Sequence, residues 1–315
     1  MKTLFNKAFL VKAIKLAAPV IGGQLGVVLM GTTDTIMCGK VSTIAQAAVG
    51  LGSAIYFLFL IFGMGLYQGI TTLVSIADGA NEREQSKKYL VAGLWLIIPT
   101  TLVINFCIWA SSHGLYLLNL PTSIVEETRQ YLSILLWGTP GILLFLLFSA
   151  FLNGLSKTVP TMVATFIALV ANYFFNDILI FGKIGFTAFG FAGSAYATNL
   201  SRYLLFLLLL VYFVTNKESR VLLKAKLNYS KVAITQKVCN IGIPIGFQVF
   251  IEMFAFTASF ITAGWIGEIE VATHQNVLNI ASVTFMFVTG ISVASNIMIG
   301  NGYGAKDKEH IKDAA

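Results

Sequence analysis

Leu, Ile, Val and Phe are distributed along this chain in blocks of about twenty residues that carry almost no charge. Read between charged or Gly/Pro-rich breaks, the blocks predict eight helices over about residues 16–37, 45–77, 89–110, 131–152, 159–181, 188–214, 239–266 and 274–299. A helix of that length crosses roughly 30 Å of hydrocarbon at about 1.5 Å per residue. The second and sixth exceed one bilayer thickness, which predicts tilt or protrusion. The basic start (Lys2, Lys7, Lys12, Lys15) leads into an apolar stretch that runs on past Pro19. That stretch is too long for a secretory signal and reads as a retained span.

Composition agrees with a multi-span membrane protein. Of 315 residues, 57 % are hydrophobic and 11 % charged, with a mean hydropathy of +0.80, which excludes an ordinary soluble enzyme. A net charge of +7 is compatible with nucleic-acid binding, but its distribution explains it otherwise. With the N-terminus inside, 17 of the 21 Lys and Arg fall on one side, including six between Lys217 and Lys237. Lys40, Arg129 and Lys183 fall on the other side, and Arg202 lies within the sixth span. The positive-inside rule therefore places both ends of the chain in the cytoplasm, and no nucleic-acid partner is expected. Cys38, Cys107 and Cys239 are widely spaced and read as small apolar residues, not as ligands or a disulfide pair.

The chain also repeats itself. At an offset of 225 residues, 15 of 90 aligned positions are identical, among them Pro19/Pro244, Gly39/Gly264, Gly65/Gly290 and Gly79/Gly304. Span seven thus restarts the architecture of span one. Six spans per unit keep the two units in the same orientation, related by an axis along the membrane normal. The expected organisation is a six-helix lobe over residues 1–216, a basic cytoplasmic linker over 217–237, and the first two helices of a second lobe over 238–315. A second unit as long as the first would bring the total to about 450 residues, so the sequence reads as truncated after its eighth helix.

Three carboxylates fall inside predicted spans, Asp34, Asp177 and Glu252. An acid at mid-bilayer costs about 2.5–3.5 kcal/mol, so each is a candidate for cation or proton handling. Asn172 and Asn176 project from one face of span five at i, i+4. With Asp34 they would supply hard oxygen ligands for Na⁺, while a carboxylate out of water can equally accept a proton. The alternative for the two Asn residues is interhelical cement. Asp177 lies close to Gly182 and Lys183 and reads as a helix-end residue. Glu252 follows Gln248 by one turn and is expected to face a water-filled cavity. Gln24, Gln68 and Gln248 are candidate path-lining residues, and His274, Gln275 and Asn276 read as a helix entry. Gly63, Gly65 and Gly69 predict close helix approach.

Several of these residues carry a family resemblance. Pro19-Val20, Gly23-Gln24-Leu25 and the run from Met30 to Gly39 resemble the first span of multidrug and toxic compound extrusion (MATE) transporters. The run from Asn153 to Pro160, the Asn172/Asn176 pair, Phe250-Ile251-Glu252 and His274-Gln275 resemble later family segments, in the NorM-like branch. The resemblance implies an all-α, two-lobe integral protein of the plasma (inner) membrane. It would export small organic, often cationic, compounds in exchange for Na⁺ or H⁺ by alternating access, without any cofactor. It also implies a cation or proton site at Asp34, Asn172 and Asn176 and a second-lobe acidic site at Glu252, and it leaves the coupling ion and the oligomeric state open. Competing readings are a lipid-linked precursor flippase of related build and a non-transporting truncated membrane protein. A flippase would demand a strongly basic cavity, yet the spans offer Arg202 alone, and no nucleophile or metal cluster suggests an enzyme.

Overall fold

A computed structural model of the chain describes residues 7–118, 121–216, 231–266 and 268–314, and these are helical apart from short connections. The helices are α1 (Lys7–Gly39), α2 (Thr43–Gly79), α3 (Arg83–Gly114), α4 (Thr122–Leu135), α5 (Thr139–Gly154), α6 (Val159–Phe181), α7 (Phe191–Thr215), α8 (Lys231–Ile266), α9 (Glu268–Gly304) and α10 (Lys308–Ala314). Among the described residues eight spans are long and apolar enough to cross a membrane, with α4 and α5 together forming the fourth. The helices outlast their apolar cores because polar residues continue them toward the membrane surface, so α1 begins at Lys7 and α9 ends at Gly304. Local signals set several ends. Ser42 caps α2 by accepting from the Ala45 amide at 2.9 Å, and Gly182 closes α6 in the left-handed region at φ 71°.

The sequence-expected linker falls largely outside the described residues. Its last part, Lys231–Lys237, already forms the first two turns of α8. The side chains of His274, Gln275 and Asn276 also lie outside the described residues, and the backbone there already lies inside α9, which begins at Glu268.

The fourth span departs from the single helix expected over 131–152. A 3₁₀ turn over Leu136–Gly138 separates α4 from α5, just before Pro140, which has no N–H to offer. The carbonyls there also accept side-chain donors, beside the Thr139 amide that reaches Leu136 O. Asn199 donates to Ile134 O at 2.6 Å, Arg202 to Leu135 O at 3.4 Å, Asn105 to Leu136 O at 3.2 Å and Tyr203 to Trp137 O at 2.7 Å. Backbone groups in hydrocarbon must find partners inside the protein, and here α7 and α3 supply all four.

The end of the bundle bearing Lys12, Lys87, Lys157 and Lys306 is its basic end. Toward it α2 crosses α8 and α9, and α1 packs on α9. Gly65 lies against Gly246, and Gly290 against Ile21. In the 225-residue register Gly65 corresponds to Gly290 and Ile21 to Gly246, so one contact is made twice. Gly79 on Asn301 and Gly304 on Ile76 form a second such pair, while Ser75 and Gly300 correspond to each other and touch. A pseudo-twofold axis therefore passes between Ser75 and Gly300, as a parallel repeat requires. Polar clasps flank the crossing. Asn296 Nδ2 donates to Thr72 Oγ1 at 3.0 Å, Asn301 Nδ2 to Ser156 Oγ at 3.0 Å, and Thr289 Oγ1 to Gln24 Oε1 at 2.8 Å.

Candidate functional site

Small residues let α1, α6 and α7 approach closely. Gly22 and Gly26 on α1 face Met162 and Thr165 of α6, and Gly193 on α7 faces the α6 backbone at Leu179 and Ile180. This packing brings polar residues from three helices to one point inside the first lobe. Asp34 on α1 is 3 % exposed, and Asn172 and Asn176 on α6 are fully buried. Asn176 Nδ2 donates to Asp34 Oδ1 at 2.6 Å, and Asn172 Nδ2 to the same oxygen at 3.2 Å. Asn176 Nδ2 also reaches Asn172 Oδ1 at 3.2 Å.

A fourth member was not singled out from the sequence. Thr198 on α7 donates its hydroxyl to Asp34 Oδ2 at 2.6 Å, so both carboxylate oxygens are engaged. A signal for it existed, since Ser194, Thr198 and Arg202 follow one another at i, i+4 on an otherwise apolar span. Tyr131 on α4 is buried and shares a 3.2 Å hydrogen bond with Ser53 of α2. One turn past Thr198, toward the basic end, Arg202 is 9 % exposed with its guanidinium 4.1 Å above the Tyr56 ring. The Tyr56 hydroxyl in turn meets Thr139 Oγ1 at 3.0 Å.

The cluster is rich in oxygen. Besides the carboxylate it holds two amide oxygens and a hydroxyl, and Asn176 Oδ1 is buried without a partner among the described residues. Buried amide oxygens in the membrane interior are normally satisfied, so this one is free to meet an incoming donor or cation. Hard monovalent cations take ligands of this kind, and the same carboxylate can instead take a proton.

The other sequence candidates lie elsewhere. Glu252 and Gln248 share an exposed face of α8. Gln24 and Gln68 are half-buried, the first tied to Thr289 and the second offering its backbone carbonyl to Thr72 Oγ1 at 3.5 Å. Asp177, beside Asn176, turns away from the cluster, and Lys183 Nζ reaches both of its carboxylate oxygens at 2.8 Å near the helix end. Cys38, Cys107 and Cys239 are free thiols.

The chain as a whole is similar to known proteins. The MatE family model matches residues 19–178 and 244–315. A probable multidrug resistance protein NorM of Pasteurella multocida is 32 % identical over 318 residues, covering 98 % of this chain and 68 % of that protein. Multidrug resistance protein MdtK of Yersinia pseudotuberculosis is 32 % identical over 305 residues, covering 96 % of this chain and 66 % of its own length. Among solved structures, a MATE protein in its bent conformation superposes with a TM-score of 0.84 at 22 % identity, over 96 % of this chain and 67 % of that one. The chain thus spans about two thirds of the length of the relatives it matches.

Proposed function

The chain belongs to the MatE family of membrane transporters, and we propose that it exports small organic, often cationic, compounds in exchange for Na⁺ or H⁺ by alternating access. The observation that carries this reading is the buried Asp34 carboxylate, gripped by Asn172, Asn176 and Thr198, with the unpartnered Asn176 Oδ1 beside it. An isolated acid is too costly to keep inside a span without a use. Asp34 binds the coupling ion, the Asn and Thr oxygens complete its shell, and Glu252 serves as the acid of the second lobe.

The distribution of basic residues supports a multi-pass protein of the plasma (inner) membrane with the basic end, and with it the N-terminus, on the cytoplasmic side. The crossing of α2 with α8 and α9 then describes a state closed on the cytoplasmic side. Antiport follows from linkage: ion binding at Asp34 favours the conformation with weak substrate affinity, and substrate binding favours the one with weak ion affinity. Its relatives, multidrug resistance proteins NorM and MdtK, support the substrate class. The test is efflux of a cationic dye from vesicles driven by a Na⁺ or H⁺ gradient. Asp34→Asn abolishes ion-driven efflux while the protein still reaches the membrane; efflux at the unsubstituted rate would refute the assignment.

A further inference from the structure

The break in the fourth span presents four consecutive carbonyls to side-chain donors, and three of them take neutral ones. Ile134 is served by Asn199, Leu136 by Asn105 and Trp137 by Tyr203. The carbonyl of Leu135 alone is served by a cation, Arg202. A neutral amide would satisfy Leu135 as well as it satisfies its neighbours, so hydrogen bonding does not account for the charge. Burying that charge is expensive. Among the described residues no carboxylate lies within ion-pair distance of Arg202, which instead rests on Tyr56 and on the break. The surplus charge must act on something at longer range.

Its position names the target. Arg202 and Thr198 are one turn apart on the same face of α7, and Thr198 donates directly to Asp34. The anchor is rigid, because Tyr56 holds the guanidinium from one side and Tyr56 is itself held by Thr139. Arg202 cannot lose its charge in a protein. Other charged groups on the packed helices include Glu127, one turn before Tyr131 on α4, and Asp177, which is paired with Lys183.

We infer that Arg202 is a positioning residue whose tethered charge holds the ion site at Asp34 to a low cation affinity, so that the coupling ion can leave as well as enter. The inference rests on the reading of Asp34 as the coupling site. Opposite unit charges within a protein interior interact strongly enough to compete with an incoming cation by on the order of tenfold. Without such a competitor a cation bound at a buried carboxylate would dissociate slowly and limit turnover. The same fixed charge repels a cation moving from Asp34 toward the basic end within the first lobe.

The experiment compares Arg202→Gln and Arg202→Lys with Tyr203→Phe in the full-length protein reconstituted in vesicles. Gln keeps a donor for Leu135 and removes the charge, Lys keeps the charge, and Tyr203→Phe removes a neighbouring tether of the break. Dye efflux is measured against Na⁺ concentration at constant pH and against pH without Na⁺, giving a half-saturating concentration for whichever ion drives transport. Arg202→Gln is expected to lower that concentration about tenfold or more and to lower the maximal rate. Arg202→Lys and Tyr203→Phe are expected to stay within about threefold of the unsubstituted protein. Equal shifts in Arg202→Gln and Tyr203→Phe, or none in Arg202→Gln, would reduce Arg202 to a structural cap and overturn the inference. Asp34→Asn is run beside them: its retaining ion dependence would remove the site itself, whereas its losing ion dependence with Arg202→Gln unshifted would sink only the role of Arg202.

Discussion

Replacing Gly65 by Ala introduces a methyl group where the backbone of α2 meets that of α8. Its carbon would lie 2.5 Å from the Cα of Gly246 and 2.7 Å from the Gly246 nitrogen, against 3.4–4 Å for an ordinary contact. Both obstacles are backbone atoms, so no side-chain rotation relieves the clash and the two helices must part by about 1 Å. Overpacking of this kind costs about 1–3 kcal/mol. That cost falls on the state in which α2 and α8 touch, which shifts the ratio of touching to parted states by roughly five- to 150-fold toward parting. Ser75 reports the result, because it is fully buried at the crossing on the pseudo-twofold axis. In a background with Cys38, Cys107 and Cys239 replaced by Ser, Ser75→Cys is alkylated by a membrane-impermeant maleimide supplied at the basic end. Gly65→Ala is expected to speed that reaction by the same five- to 150-fold. Gly31→Ala, at a position with nothing within 4 Å, leaves the rate unchanged. An unaltered rate in Gly65→Ala would refute the claim that this glycine contact holds the basic end closed.

Other consequences are open to simpler assays. Asn176→Ala removes both the 2.6 Å donor to Asp34 and the unpartnered oxygen, and should weaken the driving ion tenfold or more in ion-dependent efflux. Asn199→Leu leaves the Ile134 carbonyl unsatisfied and should destabilise the protein by about 1–3 kcal/mol, read as a lowered melting temperature in detergent. Lys183→Met breaks an exposed pair with Asp177, and both melting temperature and efflux should stay at the level of the unsubstituted protein, since such pairs contribute little.

The eight spans were legible because each is an uninterrupted apolar run, and the repeat was legible because Pro and Gly recur at a fixed offset. What the runs concealed is where helices end, since Lys7 and Lys231 continue helices well outside the hydrocarbon. The break at Leu136–Gly138 was marked by Thr139-Pro140-Gly141, but its tolerance inside a span depends on donors more than thirty residues away. Asp34, Asn172 and Asn176 stand out because polar groups in spans are costly, and their meeting follows from the packing of α1 on α6. Thr198 is marked in the sequence by its i, i+4 spacing between Ser194 and Arg202 alone, since a hydroxyl can satisfy itself on its own helix and costs little in a membrane. Arg202 was visible as a charge out of place, yet its neighbours Tyr56 and Leu135 come from two other helices that only the fold brings to it.

The central claim, that an ion at Asp34 drives substrate off, is tested most directly by substrate release from the purified full-length protein. A fluorescent cationic dye is bound in detergent, and Na⁺ or acid is then added. The account predicts that one of these ions displaces the dye from the unsubstituted protein and that Asp34→Asn, which still binds dye, no longer responds. Displacement of equal extent and ion dependence in Asp34→Asn would contradict it.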